Sequence, residues 1–239
     1  MTTADYLLQA EKALQKTEDT NWASDTFLNK EAIKETDVAR EDERDVEWHP
    51  LIPFLPHGTR VLFLGSFPPQ RKRWCMDFFY PNFINDHWRI EGLVFFDDES
   101  YFVDKTQKTF QLRSIVDHLK QQGIGFFDTS IAIRRLAENA SDKFLEVVEV
   151  TDIPAIVNQL PELRAIVTTG EKATQTIVKA LGMSDENRHW LLPKMGTATK
   201  TPCHDIELYR LPSSSRAYPM ALAKKAAAYK TMFQRYLAE

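Results

Sequence analysis

Cysteine is nearly absent: Cys75 and Cys203 are the only two in 239 residues. Two thiols cannot supply the four ligands of an iron–sulfur cluster. Disulfide stapling is not expected in a chain of this size, so a reducing, cytoplasmic setting is the expectation. Glycine is scarce too, at 8 residues. No Gly-x-Gly-x-x-Gly or Walker loop occurs, which argues against a nucleotide-cofactor enzyme. The Gly-x-Ser-x-Gly elbow of a serine hydrolase is missing, and no lysine occupies a pocket motif that would support Schiff-base chemistry. No apolar run approaches membrane-spanning length, and the N-terminus lacks the basic-then-apolar order of a secretory signal. Cys75, His87, Cys203 and His204 are scattered, and the adjacency of the last pair is unlike zinc-ligand spacing. No metal and no cofactor are expected.

Positive charge is also short overall, with a net charge of −4, but it is unevenly placed. Residues 1–47 hold 13 acids and 6 bases, a net of −7, whereas the remaining 21 acids and 24 bases give +3. The main body is mildly basic and suits a transient encounter with a polyanion better than a tight structural complex. We read 1–47 as an acidic helical extension and 48–239 as the main domain, with the charged stretch Glu41–Asp45 and Trp48-His49-Pro50 at the boundary. A monomer is expected.

What the chain does have is alternation. Tyr6, Leu7, Leu8, Ala10, Ala13 and Leu14 fall at helical spacing over 3–17, and a weaker helix is predicted from about Ser24 to Ala39. Strands are predicted at Arg60–Gly65, Ile124–Asp128, Ala165–Thr169 and Ile206–Leu211. Helices are predicted at Thr106–Gln122, Ile153–Leu160, Glu171–Leu181 and Ala217–Leu237. Near-continuous apolar strands alternating with helices indicate a three-layer α/β/α sandwich around a four-stranded parallel sheet, plus the N-terminal helical extension. Ligands in such sheets bind beyond the carboxyl ends of the strands. Gly65-Ser66, Asp128-Thr129, Thr169-Gly170 and Pro212-Ser213 all fall there.

The segment Val61–Ile90 is the most informative. Val61-Leu62-Phe63-Leu64 is a buried strand stopped by Gly65-Ser66-Phe67-Pro68-Pro69, and Tyr80-Pro81-Asn82-Phe83-Ile84-Asn85-Asp86-His87-Trp88 follows a short basic link. Amides and aromatic faces beside a strand end suit a planar, hydrogen-bonding ligand such as a nucleobase.

Gly65-Ser66-Phe67-Pro68, Tyr80 and Asn85-Asp86-His87-Trp88 together resemble the first signature of the uracil-DNA glycosylase superfamily. The form is that of its hypoxanthine-DNA (deoxyinosine) glycosylases, a Gly-Ser-Met/Phe-Pro-Gly turn followed by Tyr…Arg-Asn-Ala-Phe-Trp. Gly123-Ile124-Gly125-Phe126-Phe127-Asp128 is similar to that branch's Gly-Ile-Ala-Leu-Trp-Asp strand. Leu211-Pro212-Ser213-Ser214-Ser215-Arg216-Ala217-Tyr218 is similar to its Leu-Pro-Ser-Thr-Ser-Pro-Ala-Asn motif. The likeness runs over about residues 58–237, with three motifs in order.

The resemblance implies a monofunctional DNA glycosylase that hydrolyses the N-glycosidic bond of uracil or hypoxanthine flipped out of DNA. It implies that Asn85 orients the attacking water, although a loop or helix-capping amide is the plainer reading. Asp86, where relatives carry a small residue, is a candidate activating base if it turns inward. Tyr80 is a candidate for stacking on the base, against an ordinary core role. Backbone N–H groups of Gly65, Ser66 and Phe67 are placed to contact base or phosphate. Asp128 and Thr129 are candidates for reading its Watson–Crick edge, against a buried structural role for the aspartate. Pro212, Ser213, Ser214 and Ser215 would grip phosphates at the start of the last helix, with Arg216 adding charge or wedging into the gap; a serine-rich helix cap reads equally well. Arg71, Lys72 and Arg73 suit a phosphate contact, although short basic runs on loops are usually just solvated. Pro69, Asp86, Thr169 and Tyr218 depart from the family pattern. Two other functions therefore stay open: an inactive relative that binds damaged DNA or a protein partner, and a hydrolase of free nucleosides or nucleotides.

Overall fold

The computed structural model describes residues 1–19, 21–38, 46–136, 144–185, 189–203 and 205–238. The charged stretch 41–45 and His204 lie outside them. Two N-terminal helices, α1 (Thr3–Lys16) and α2 (Lys30–Val38), precede a short strand β1 (Val46–Trp48) and the buried strand β2 (Val61–Gly65). Thr2 and Asp5 form a reciprocal capping box that starts α1. After β2 come a 3-10 turn at Arg71–Arg73, helix α3 (His87–Phe96) and a two-strand hairpin, β3 (Val103–Asp104) with β4 (Thr109–Phe110).

The hairpin replaces the first turns of the helix predicted from Thr106. The Asp104 carboxylate accepts from the N–H groups of Thr106 and Gln107, and Lys108 takes a left-handed φ of 52°. A turn chemistry of this kind competes with helix, so helix α4 starts only at Leu112 and runs to Gln122. It stops at Gly123, whose φ is +66° and where a Cβ would overlap the Gly58 carbonyl oxygen.

Strand β5 (Ile124–Asp128) follows. Next come strands β6 (Ser130–Arg135) and β7 (Leu145–Val150), helix α5 (Ile153–Val157), strand β8 (Ala165–Thr169) and helix α6 (Glu171–Ala180). Strands β9 (Ala198–Lys200) and β10 (Glu207–Leu211) lead to the last helix, α7 (Leu222–Leu237). The main sheet has the order β5-β2-β8-β10-β9. Its first four strands are parallel, and β9 adds an antiparallel fifth, so the expected count of four is one short. Phe54 exchanges both backbone hydrogen bonds with Phe126 and so covers the outer side of β5. A second, antiparallel sheet, β1-β6-β7, was not foreseen.

Successive side chains of β5 serve opposite faces. Phe126 stacks on Phe63 and meets Trp88 of α3, and Phe63 in turn meets Tyr229 and Phe233 of α7. Phe127 points the other way, onto Tyr6 of α1. Helices thus lie on both faces. Tyr6 is fully buried in the same core as the sheet, and its hydroxyl donates to the His49 carbonyl at 2.9 Å. The start of the chain is therefore part of the core rather than a layer on its surface. Truncating it should show this: we expect Tyr6→Ala to lower unfolding free energy by about 3 kcal/mol, the scale of a buried aromatic. The check is the urea midpoint, which a detached extension would leave unmoved.

Candidate functional site

The carboxyl ends of β2 and β5 meet closely. A Cβ at position 65 would overlap Asp128 Oδ1 and would sit 3.9 Å from the Tyr80 hydroxyl, so only glycine lets the three groups converge. Asp128 is held there from behind. His49, with no exposed surface, places Nε2 2.8 Å from Asp128 Oδ2. Its Nδ1 lies 3.2 Å from the Leu51 N–H and 2.9 Å from the Leu51 carbonyl. A carboxylate only accepts, so Nε2 is the donor whatever the state of Nδ1. One oxygen of Asp128 is fixed and the other faces Gly65. The Thr129 N–H donates to the Gly65 carbonyl at 2.8 Å, and its buried hydroxyl has no partner among the described residues.

Tyr80 has φ of 48°, an uncommon conformation for a side chain of this size. The twist lays its ring parallel on His87, with centroids 3.8 Å apart, and brings its hydroxyl 2.7 Å from Thr169 Oγ1. His87 is buried completely and Glu91 lies beneath it, with Nε2 3.2 Å from Oε1. His118 approaches the other Glu91 oxygen at 3.1 Å. Burial pushes the Glu91 carboxyl up, but the hydrogen bond from His118 and the close approach of His87 outweigh this and hold it at about 2. Burial pushes His87 down, against the pull of Glu91.

Asn85 ends the loop before α3. Its δ-oxygen accepts from the His87 N–H at 2.9 Å, an Asx turn one residue ahead of the Asp86 N-cap, so the plainer reading holds as a loop amide. Asp86, expected as a possible base, is buried and otherwise engaged. Oδ1 accepts from Arg216 at 2.9 and 3.1 Å, and Oδ2 from the fully buried Lys225 of α7 at 3.0 Å. Its N–H donates to the Ser214 carbonyl at 3.0 Å, and Lys225 also donates to the Ser215 carbonyl at 2.7 Å. The first and second motifs are tied together here.

The second motif is a loop and not a helix start. The Arg216–Ala221 stretch turns before α7 begins at Leu222, so Pro212–Ser215 stand a turn ahead of any helix N-terminus. Pro219 lacks the N–H and disfavours helix in the residue before it, which accounts for the late start. Ser214 is buried, the Ser215 N–H donates to Ser213 Oγ at 3.2 Å, and the Ala217 N–H donates to Ser215 Oγ at 3.3 Å. Arg71, Lys72 and Arg73 are exposed on their 3-10 turn, with Arg71 tied to Asp77 at 2.7 Å. Ser66 is buried, and the buried Phe67 ring packs with Ile133 and Leu145 and edge-on to His49. Two surface hollows of about 360 and 400 Å³ share Ser24 and Leu112, and neither is lined by a strand-end residue. Among the described residues no group of three or more His, Cys, Asp or Glu is arranged to hold a metal ion. No described helix is long and apolar enough to cross a membrane.

No protein-family model matches the chain. It is 28% identical over 147 residues to the hypoxanthine DNA glycosylase of Methanosarcina acetivorans, over 61% of this chain and 84% of that protein. The chain resembles the uracil-DNA glycosylase superfamily, in its hypoxanthine-DNA glycosylase branch. A solution NMR structure of a "putative Uracil DNA glycosylase" from the same organism has a TM-score of 0.49 and 22% identity, over 77% of this chain and 94% of that one.

His49 and Lys225 are the groups that reading the sequence missed. His49 meets Asp128 across 79 positions and Lys225 meets Asp86 across 139, separations at which no local spacing signals a contact. The Glu91 cluster carries a pH signature. A carboxyl held low adds stability above its ordinary value of 4.5 that is lost as pH falls towards 2. Burial holds His87 below its ordinary 6.5 in the folded protein, so its contribution too is lost as pH drops below 6.5. The acid branch of the stability curve should therefore flatten in Glu91→Gln, measured by urea unfolding from neutral pH downward.

Proposed function

We propose that the protein is a monofunctional DNA glycosylase that hydrolyses the N-glycosidic bond of a deaminated base everted from DNA. The observation that carries this is the convergence of Gly65, the His49-held Asp128 carboxylate and the Tyr80 hydroxyl at the strand ends. The similarity to a hypoxanthine DNA glycosylase supports it.

Deamination turns the ring nitrogen of the pairing edge from an acceptor into an N–H donor: N3 of cytosine becomes N3–H of uracil, and N1 of adenine becomes N1–H of hypoxanthine. A carboxylate oxygen can only accept. Asp128 Oδ1 would therefore bond the deaminated base and leave two lone pairs opposed in the parent base. That is the kind of mispairing that a buried polar site rejects strongly. Tyr80, its ring held in parallel by His87, is assigned to stacking on the base. Of the backbone groups the turn offers, Gly65 is taken up by the β2–β5 ladder, and the Phe67 N–H is assigned to the base or a flanking phosphate.

Bond breaking puts positive charge on the sugar and negative charge on the leaving base. Water attacks C1′, the C1′–N bond breaks, and the proton from water ends on the departing base. With the sugar already cationic, the water needs placement more than deprotonation. The Asn85 amide, which spends one lone pair on the His87 N–H, has its NH2 and a second lone pair to hold that water. Asp86, with both oxygens taken by Arg216 and Lys225, is left out of the base role. Arg71, Lys72, Arg73 and the 212–216 loop are assigned to the DNA backbone.

Oligonucleotides bearing single lesions test this. Hypoxanthine or uracil should be released, leaving alkali-sensitive sites, and Asn85→Ala should lower the rate by about 10²-fold or more, the scale of losing a positioned group. N1-methylhypoxanthine, which lacks the ring N–H, should be refused, and Asp128→Asn should narrow the preference for hypoxanthine over adenine. Absence of release from every deaminated base, or full activity in Asn85→Ala, refutes the proposal. Lesion-selective binding without turnover would instead favour the non-catalytic reading.

A further inference from the structure

A buried lysine is costly unless its charge is matched. Lys225 has no exposed surface, yet its ammonium is placed between Asp86 Oδ2 at 3.0 Å and the Ser215 carbonyl at 2.7 Å. Asp86 is nearly as buried, and its second oxygen holds Arg216, whose side chain is 54% exposed. Two cations therefore share one carboxylate. Had Asp86 faced Arg216 alone, the pair would be neutral and the exposed guanidinium would present little field. The charge of Asp86 is instead balanced from below by Lys225, and the trio keeps one net positive charge whose only exposed member is Arg216. Arg89 adds to the same side: its guanidinium is spent on the carbonyls of Phe83 and Asn85, and its charge acts on Arg216.

We propose that Lys225 is a positioning residue that lets Asp86 fix Arg216 in place without cancelling it, so that the second-motif loop presents one oriented, uncompensated cation to a DNA phosphate. This rests on the reading that the loop faces DNA, and it changes the role of Asp86 from candidate base to anchor. The bonds from Asp86 to the Ser214 carbonyl and from Lys225 to the Ser215 carbonyl hold the loop itself, so the cation and the serine turn move as one unit. A charge buried close to the contact is screened by salt far less than one on the surface.

The test is salt-dependent binding of a fluorescein-labelled duplex carrying a tetrahydrofuran abasic-site analogue, which cannot be cleaved, so the readout is independent of turnover. One phosphate contact contributes about 0.9 to the slope of log affinity against log salt. Arg216→Gln should lower the slope by about that amount. Lys225→Met, which leaves Arg216 in place, should lower it similarly, because Asp86 then cancels Arg216. Asp86→Asn combined with Lys225→Met should restore the wild-type slope while recovering affinity only in part, since Arg216 is charged but no longer oriented.

A folded Lys225→Met protein with the wild-type slope overturns the inference, as does a double variant whose slope stays low. Should the single variant not fold, the double variant still decides. No measurable duplex binding also overturns it. The slope pattern without release of any base would remove the glycosylase reading and keep this one, and release with unchanged slopes would do the reverse.

Discussion

Much of the molecule depends on one contact, the approach of the Asp128 carboxylate to Gly65 across the ends of two neighbouring parallel strands. It requires three things at once: no side chain at 65, a donor behind the carboxylate, and a body of structure that holds that donor still. The donor is His49, and the body is assembled from distant parts of the chain. Tyr6 of α1 bonds the His49 carbonyl, and Phe127, Phe67 and Phe79 surround its ring. The N-terminal helix, which charge alone sets apart from the rest, is in this way part of what aims the carboxylate.

A second support faces the other side of the same strand ends. Tyr80 is held by Thr169 at its hydroxyl and by His87 at its ring, and His87 rests on a buried Glu91 that His118 steadies. An ionised acid in the interior persists only when its partners outweigh its desolvation, and here two histidines do so. Adjacent residues at the start of α3 thus divide the labour: the N-cap Asp86 anchors the loop that follows β10, and His87 underlies the tyrosine.

β2, β5 and β8 were legible because each is buried on both faces and reads as a near-continuous apolar run, whereas β10 carries half-buried Glu207 and Arg210 within it. β5 and β8 match the predicted strands at both ends, and β2 and β10 each start one residue later than predicted. The antiparallel sheet was not legible. Ser130–Arg135 directly follows Asp128-Thr129, so the chain reads as leaving a strand when it is entering another. Leu145–Val150 shows only half-buried alternation. The motif residues could be named from their order along the chain, but their partners could not. Nothing in Trp48-His49-Pro50 marks the histidine as buried, and Lys225 sits in an alanine-rich helix where a lysine ordinarily faces water. The left-handed twist at Tyr80 is likewise silent in sequence, since a tyrosine there carries no mark of its backbone angle.

The margins of the main sheet also matter. On one flank Phe54 takes up the backbone groups of Phe126, and on the other the three residues of β9 cap β10. Bare strand margins invite pairing with foreign chains, and here both are met by segments of the protein's own. Lateral recruitment by strand addition is thereby discouraged along β5, and on the far flank only the three residues of β9 remain as a margin.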